Sequence, residues 1–131
     1  MDKKIREACM EKVYIVGAHS RGRTLKAYLE YLQEAETEAF LVDELAGNPD
    51  AVDGVPVRLI GAGLDTDKKV YIATRGISHG KLTEELKAVG MKRIIPVTVE
   101  LDSKLRNEYV RRRFREEGRD FRLVDELGMG R

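Results

Sequence analysis

Residues 12–23 read K-V-Y-I-V-G-A-H-S-R-G-R, and this stretch is the strongest indication of the fold of the chain. The run from Val13 to Val16 is apolar throughout and rich in β-branched residues, which is typical of a strand buried on both faces of a parallel sheet. Gly17 follows the run directly and permits a tight turn, and Gly22 permits the next helix to pack closely on the strand. The stretch therefore predicts a buried strand, a glycine turn and the N-terminus of a helix, in that order.

Similar patterns recur along the chain. Apolar runs predict buried strands over residues 13–16, 39–42, 70–73 and 93–96, with a last strand over 121–124. Apolar residues at helical spacing predict helices over residues 3–10, 23–33, 78–89 and 98–117. Ser78 and Thr98 are the expected N-caps of the last two helices. Gly90 is the expected C-cap of the helix over 78–89. Turn residues predict a loop over 44–53, and Pro56 predicts an extended segment over 55–60 at an edge of the sheet.

The main elements alternate in the order β-α-β-β-α-β-α, which favours a parallel sheet with helices on both faces. We therefore predict an α/β fold: a Rossmann-like, doubly wound, mostly parallel sheet in three α/β/α layers, with additional N- and C-terminal helices. The length of 131 residues fits a single domain over 1–131, with its core at about 12–97 and a C-terminal helix and tail at 98–131. Either terminal helix is a candidate surface for a partner or for a homodimer.

The overall charge excludes some classes of function. The chain has 24 Lys and Arg against 23 Asp and Glu, a net charge of +1, so it has no general attraction for nucleic acid or membrane surfaces. Only 6% of its residues are aromatic, which further disfavours nucleic-acid binding. No apolar run reaches the length of a signal peptide core or a membrane span, and a single cysteine permits no intrachain disulfide. We expect a cytoplasmic protein.

The turn after the first strand is the candidate binding site. A helix N-terminus presents unpaired N–H groups and a positive dipole end, which attract a phosphate. The spacing G-A-H-S-R-G lacks the middle glycine of the dinucleotide pattern G-x-G-x-x-G, and His19 and Ser20 fill that space. Asp43 ends the second strand, where an acid binds a ribose hydroxyl in dinucleotide sites. The loop after the third strand should face the same cleft. The predicted binding residues are Gly17, Ala18, His19, Ser20, Arg21, Gly22, Asp43, Thr74 and Arg75.

Other side chains carry weaker signals. His79 follows Thr74 and Arg75, and with His19 it would make either an anion pocket or an acid–base pair, or else serve as an ordinary loop residue. Neither histidine has a metal-ligand neighbour at useful spacing, so no metal site is predicted. The basic run 111–113, together with Arg106 and Arg115, is a candidate contact for a phosphate or an acidic partner. It alternates with glutamates, which favours a solvated helix face with intrahelical ion pairs instead.

Residues 12–96 resemble the N-terminal Rossmann-like domain of the bacterial sugar O-acyltransferases that modify UDP-amino sugars. The resemblance rests on K-V-Y-I-V-G-A-H-S-R-G, A-F-L-V-D-E, D-G-V-P-V, K-K-V-Y-I-A-T and G-M-K-R-I-I-P-V. Gly17, Ala18 and Gly22 match the family's turn, Asp43 matches its acid, and 54–57 match its G-I-P-V-like edge element. In that family the domain holds the nucleotide-sugar, so the resemblance implies that these residues surround uridine and phosphate.

Two departures from the family pattern limit what the resemblance implies. Ser20 and Arg21 stand where the family has Gly and His, and the sequence has no hexapeptide repeats of the kind that bind acyl-CoA, so acyl transfer is not expected. Residues 101–127 are similar to domains attached to bacterial surface-polysaccharide glycosyltransferases. That similarity implies an accessory module, with a glycosyltransferase or another domain of a longer chain as its partner.

Three functions remain open at this point. The first is a noncatalytic, nucleotide- or nucleotide-sugar-binding module of surface-polysaccharide metabolism, with a UDP-sugar as the favoured ligand and NAD(P) as a less favoured one. The second is a small NAD(P)- or sugar-nucleotide-dependent enzyme. The third is an interaction or dimerisation module with an empty cleft. The sequence shows no nucleophile elbow, Walker A lysine or paired acid cluster, which favours binding over catalysis for this domain on its own and leaves the enzyme as an alternative.

Overall fold

The computed structural model describes residues 10–116, which form a six-stranded sheet with helices on both faces. The strands are β1 (Glu11–Val16), β2 (Ala35–Val42), β3 (Ala51–Val52), β4 (Val55–Leu59), β5 (Lys69–Ile72) and β6 (Arg93–Pro96). The helices are α1 (Ser20–Tyr31), α2 (His79–Val89) and α3 (Val99–Glu116), with a 3-10 turn at Gly76–Ser78 before α2. The helix predicted over 3–10 and the strand predicted over 121–124 lie outside the described residues, apart from Met10.

The strands lie in the order β3-β4-β2-β1-β5-β6, and β3 alone runs antiparallel to its neighbour. The chain leaves β1 through α1 to reach β2 on one side, and β5 lies on the other side of β1. The strand order therefore reverses between β1 and β5, and the carboxyl ends of these two strands flank a crevice. In open α/β sheets, ligands bind at this point.

The apolar run predicted to be buried on both faces is buried, with Val13–Val16 between 0 and 2% exposed. Val13 and Ile15 point into a core formed with α1 and α3, whereas Tyr14 and Val16 point into a second core formed with α2. Successive side chains of a strand point to opposite faces, so the strand needs an apolar residue at every position. The predicted three-layer α/β/α fold is confirmed.

The C-terminal helix α3 packs on the core of the domain. Leu105 is buried against the same face of the sheet as α1, and Tyr109 contacts Tyr28 and Tyr31 of α1 with ring centroids 5.1 and 5.0 Å away. Aromatic pairs in such tilted and edge-on arrangements stabilise helix packing beyond the area that they bury. The apolar face of α3 therefore covers one layer of the sheet.

The predicted loop over residues 44–53 was wrong at its end, where Ala51–Val52 form β3. Asp53 and Gly54 have φ angles of 52° and 79°, as the two-residue type I′ hairpin turn requires, so the chain folds back and β3 pairs with β4. The segment that contains Pro56 was predicted to lie at an edge of the sheet. That prediction was wrong, because β3 lies outside β4. Pairing with β2 begins at Val57, after the proline, so the missing N–H of Pro56 is tolerated.

One predicted helix start was also wrong, and one predicted N-cap makes no capping hydrogen bond. Helix α1 begins at Ser20 instead of Arg23, because the glycine turn enters the helix directly and the Arg23 N–H already donates to the His19 carbonyl at 3.0 Å. Ser78 occupies the predicted N-cap position of α2, but its hydroxyl makes no capping bond, because it donates to the Arg75 carbonyl at 2.8 Å and so closes the preceding turn. The other end of α2 agrees with the prediction: Gly90 follows it with a φ of 105°.

The predicted cap of α3 is confirmed, because the Leu101 N–H donates to Thr98 Oγ1 at 3.1 Å. We expect Thr98→Ala to lower the free energy of unfolding by about 1 kcal/mol, since the substitution leaves this N–H without its partner. Thr98→Ser keeps the hydroxyl and should stay within about 0.5 kcal/mol of the wild type. Urea unfolding measures both values. An equal loss in the two variants would show that the hydroxyl does not cap the helix.

Candidate functional site

The turn between β1 and α1 depends on its two glycines. Gly17 has a φ of 111°, in the left-handed region, and its N–H donates to the Leu41 carbonyl at 2.9 Å. A Cβ at Gly22 would overlap the carbonyl oxygen of Gly17, and it would lie 3.4 Å from the ring of Phe40. The first turn of α1 therefore lies directly against the end of β1. This close approach is what aims the start of the helix across the carboxyl edge of the sheet.

The start of α1 leaves backbone donors available. Within the described part of the chain, the N–H groups of Ser20, Arg21 and Gly22 have no hydrogen-bond acceptor. His19 occupies the N-cap position but makes no side-chain capping bond, and the first turn of α1 contains no acidic residue. Unpaired N–H groups and the positive end of the helix dipole attract an anion.

Three adjoining cavities run along the carboxyl edge of the sheet, and all three share Ser20. The central cavity, about 570 Å³, is lined by Gly17, His19, Ser20, Arg21, Gly22, Ala73, Thr74 and Arg75. The hairpin-side cavity, about 410 Å³, is lined by Ala18, His19, Ser20, Arg23, Pro49, Ala51, Val52 and Asp53. The helix-side cavity, about 540 Å³, is lined by residues from α1, the β5–α2 connection and the start of α3, among them Tyr28, Thr74, His79, Thr98, Asp102, Ser103 and Arg106.

The structure brings most of the predicted binding residues to the central cavity, and Ala18 lines the adjoining hairpin-side cavity. Asp43 lines none of the three cavities. Its carboxylate faces Lys81 of α2, with Oδ2 and Nζ 3.7 Å apart. The acid predicted to bind ribose is therefore paired with α2 and lies outside the three cavities.

Arg21 and Arg75 bring positive charge to the central cavity from two different segments of the chain. Arg21 belongs to the first turn of α1, and Arg75 follows β5. Among the ion pairs of residues 10–116, none involves either guanidinium. The two charges therefore reinforce the attraction of the unpaired N–H groups for an anion.

The connection after β5 is held by its own hydrogen bonds. Thr74 Oγ1 lies 2.8 Å from Ser78 Oγ, and His79 Nε2 lies 2.9 Å from the Thr74 carbonyl oxygen. His79 lines the helix-side cavity, whereas His19 lines the other two. The two histidines do not meet in one cavity, so the structure does not form the acid–base pair considered from the sequence.

The helix-side cavity contains Asp102 and Ser103, which the sequence did not indicate, and Arg106, which the sequence placed with the basic run of the same helix. Arg106 Nη1 lies 3.5 Å from Asp102 Oδ2, and its Nη2 donates to Ser103 Oγ at 3.4 Å. Burial raises the pKa of the Tyr28 phenol, and the Asp102 carboxylate raises it further. Tyr28 is therefore protonated at neutral pH and can donate a hydrogen bond. These groups come together only because α3 packs on α1, so no local sequence signal marks them as parts of one site.

The basic run on α3 lies among acidic and aromatic partners. Arg111 and Arg112 pair with Glu108 at 3.3 and 3.7 Å, and Arg113 donates to the Tyr109 hydroxyl at 2.9 Å. Such pairs at i, i+3 and i, i+4 stabilise a helix surface. The structure thus agrees with the solvated helix face favoured by the sequence.

None of the described helices has the length and apolarity that crossing a membrane would require.

No family model matches this sequence, and no curated protein matches it either. Among solved structures, the chain is similar to the crystal structure of RSP, a Rex-family repressor, with a TM-score of 0.51 and 14% sequence identity. The similarity covers 88% of this chain and 64% of the repressor chain. This protein has a Rossmann-like fold. That fold class is one that binds nucleotides at the carboxyl ends of its strands, and at such low identity the likeness extends to the fold alone.

Proposed function

We propose that this domain binds a nucleotide through its diphosphate and does not itself catalyse a reaction. The observation that carries the proposal is the central cavity, where the unpaired N–H groups of Ser20, Arg21 and Gly22 meet the guanidinium groups of Arg21 and Arg75. Backbone N–H groups at a helix start and arginine forks are the donors that proteins use for phosphate. The cavities on either side leave room for the two ends of a nucleotide.

The missing middle glycine changes how the diphosphate is held. His19 stands at that position, with an extended backbone and a side chain that lines both the central and the hairpin-side cavities. Its side chain prevents the close backbone approach that a glycine allows. The donors for the phosphates are therefore the N–H groups one to three residues later, together with the arginines. The site is then a variant of the dinucleotide turn, in which helix N–H groups and arginines bind the phosphates in place of a closely approaching glycine backbone.

A UDP-sugar is the first ligand to test, and NAD(P) is the second. The helix-side cavity supports a sugar, because Tyr28, Asp102 and Arg106 supply the donors and acceptors that hydroxyl groups need. The sequence resemblance to sugar O-acyltransferase domains and to glycosyltransferase-attached domains supports the same choice. On that basis, we propose a cytoplasmic accessory module of bacterial surface-polysaccharide synthesis.

The ligand is tested by thermal unfolding of the wild-type chain with UDP-sugars, NAD(H), NADP(H) and acetyl-CoA. A ligand at one hundred times its Kd should stabilise the fold by about 2.7 kcal/mol. We expect the largest rise in Tm with a UDP-sugar. A larger rise in Tm with NADH would show that NADH, and not a UDP-sugar, is the favoured ligand. If none of these compounds raises the Tm, nucleotide binding is contradicted. Turnover of a UDP-sugar or oxidation of NADH would contradict the noncatalytic role.

The role of Arg21 is tested by calorimetric titration of the Arg21→Ala variant with the best ligand from that series. Loss of a charge-assisted hydrogen bond to phosphate should raise Kd by about 10- to 100-fold. Arg115→Ala is the matched control, because it removes the same charge from the last turn of α3. The control should leave Kd within about twofold of the wild type, which corresponds to less than about 0.5 kcal/mol. Equal losses in the two variants would contradict a phosphate site at the turn.

A further inference from the structure

The β3–β4 hairpin places a carboxylate over the start of α1. Its two-residue turn is Asp53-Gly54, and Asp53 adopts a φ of 52°, a conformation that Asp and Asn tolerate better than most residues. From this turn, the two carboxylate oxygens of Asp53 accept from Arg23 in the second turn of α1. Nε donates to Oδ2 at 3.2 Å, and Nη2 donates to Oδ1 at 3.3 Å. The paired contacts orient the Asp53 carboxylate relative to the glycine turn.

Asp53 also lines the hairpin-side cavity, directly beside the proposed phosphate site. Ala18, His19 and Ser20 of the glycine turn line the same cavity of about 410 Å³. Asp43 is at the end of β2, where the dinucleotide pattern expects the ribose acid, but its carboxylate faces Lys81 and lines none of the three cavities. An acid is thus present beside the turn, although it comes from the hairpin.

We propose that Asp53, and not Asp43, is the carboxylate that binds the ribose of the nucleotide, in the hairpin-side cavity. This inference rests on the proposed function. Each Asp53 oxygen accepts one hydrogen bond from Arg23 and keeps further lone pairs, so the carboxylate can accept from the 2′- and 3′-hydroxyl groups of a ribose. Its negative charge disfavours a 2′-phosphate. Arg23 is a positioning residue, since it acts on the ribose through Asp53.

The test measures the affinity ratio between a ribonucleotide and its 2′-deoxy form, using UDP, ADP and their 2′-deoxy analogues in calorimetric titrations. We expect the wild type to prefer UDP or ADP over the deoxy form by about 10-fold, the value of one hydrogen bond to a charged group. Asp53→Asn should reduce that ratio to about twofold. The variant keeps the hairpin, because Asn-Gly is the preferred type I′ turn. Asp43→Asn, the rival candidate, should keep the wild-type ratio.

A second ligand and a second variant make the test independent of any one substitution. With Asp53→Asn, the affinity for adenosine 2′,5′-bisphosphate should rise relative to ADP, because a negative charge is lost and Arg23 becomes available to a phosphate. Arg23→Gln leaves the turn sequence intact and should lower the ribose preference by about threefold, through loss of carboxylate orientation.

The outcomes separate the inference from the proposed function. If UDP and ADP bind the wild type but Asp53→Asn keeps the ribose preference, or if Asp43→Asn abolishes it, the assignment of Asp53 is overturned and nucleotide binding stands. If neither UDP nor ADP binds the wild type, nucleoside diphosphate binding fails and the assignment fails with it. A ribose preference that is absent in the wild type also overturns the assignment.

Discussion

Gly22→Ala should lower the free energy of unfolding by at least about 3 kcal/mol, at the upper end of the cost of overpacking. The new Cβ would overlap the carbonyl oxygen of Gly17, and the ring of Phe40 lies 3.4 Å from the Cβ position on another side. The overlap is with backbone, so no side-chain rotation can relieve it. Helix α1 would have to move away from β1, which would separate Leu25 and Leu29 from the core.

Gly80→Ala provides the matched control for this substitution. Gly80 is the second residue of α2, and a Cβ there would meet no atom within 4 Å. Alanine should stabilise the protein there by about 0.5–1 kcal/mol, because glycine is the weaker helix former. Urea unfolding with unchanged m-values measures both effects. A Gly22→Ala variant within about 1 kcal/mol of the wild type would show that the strand and helix do not need this close approach.

Phe40→Ala should lower the free energy of unfolding by about 3–5 kcal/mol, the usual range for a buried aromatic residue. Phe40 is completely buried on β2, in the core shared with α1 and α3. Its ring lies beneath the first turn of α1, close to Gly22. Removing the ring therefore takes away apolar contacts from the sheet and leaves a cavity under the proposed phosphate site.

Phe40→Leu is the matched variant, because it removes the aromatic ring but keeps an apolar side chain beneath the turn. Leucine fills most of the space, so we expect a loss of about 1–1.5 kcal/mol. Both variants are measured by urea unfolding, and the better-folded one is also titrated with the ligand found by thermal unfolding. Equal stability of Phe40→Ala and the wild type would contradict the position of this ring in the core.

Ligand affinities of the Phe40 variants can be compared with that of Arg21→Ala. Phe40 supports the turn from below, so Phe40→Leu should lower ligand affinity. The fall should be smaller than with Arg21→Ala, because the leucine variant keeps every phosphate donor. The same comparison distinguishes a loss of binding groups from a general loosening of the fold. Nucleotide affinity is thus a readout of the site, and urea unfolding is a readout of the scaffold.

Features that depend on residues close together in the chain were predictable from the sequence. The apolar run at Val13–Val16 specified a strand buried on both faces, because every position carries a side chain that must be removed from water. Gly17 and Gly22 specified the turn, since one adopts a left-handed φ and the other has no room for a Cβ. The cap at Thr98 follows the same local rule.

The groups that complete the two outer cavities, by contrast, follow from the tertiary structure. The β3–β4 hairpin brings Asp53 beside the turn, while Asp43 turns to Lys81, although Asp43 has the spacing that the dinucleotide pattern expects. Asp102 and Arg106 reach the site because α3 packs on α1. These contacts join residues far apart in the chain. They depend on which elements pack together, and no local pattern of residues encodes that choice.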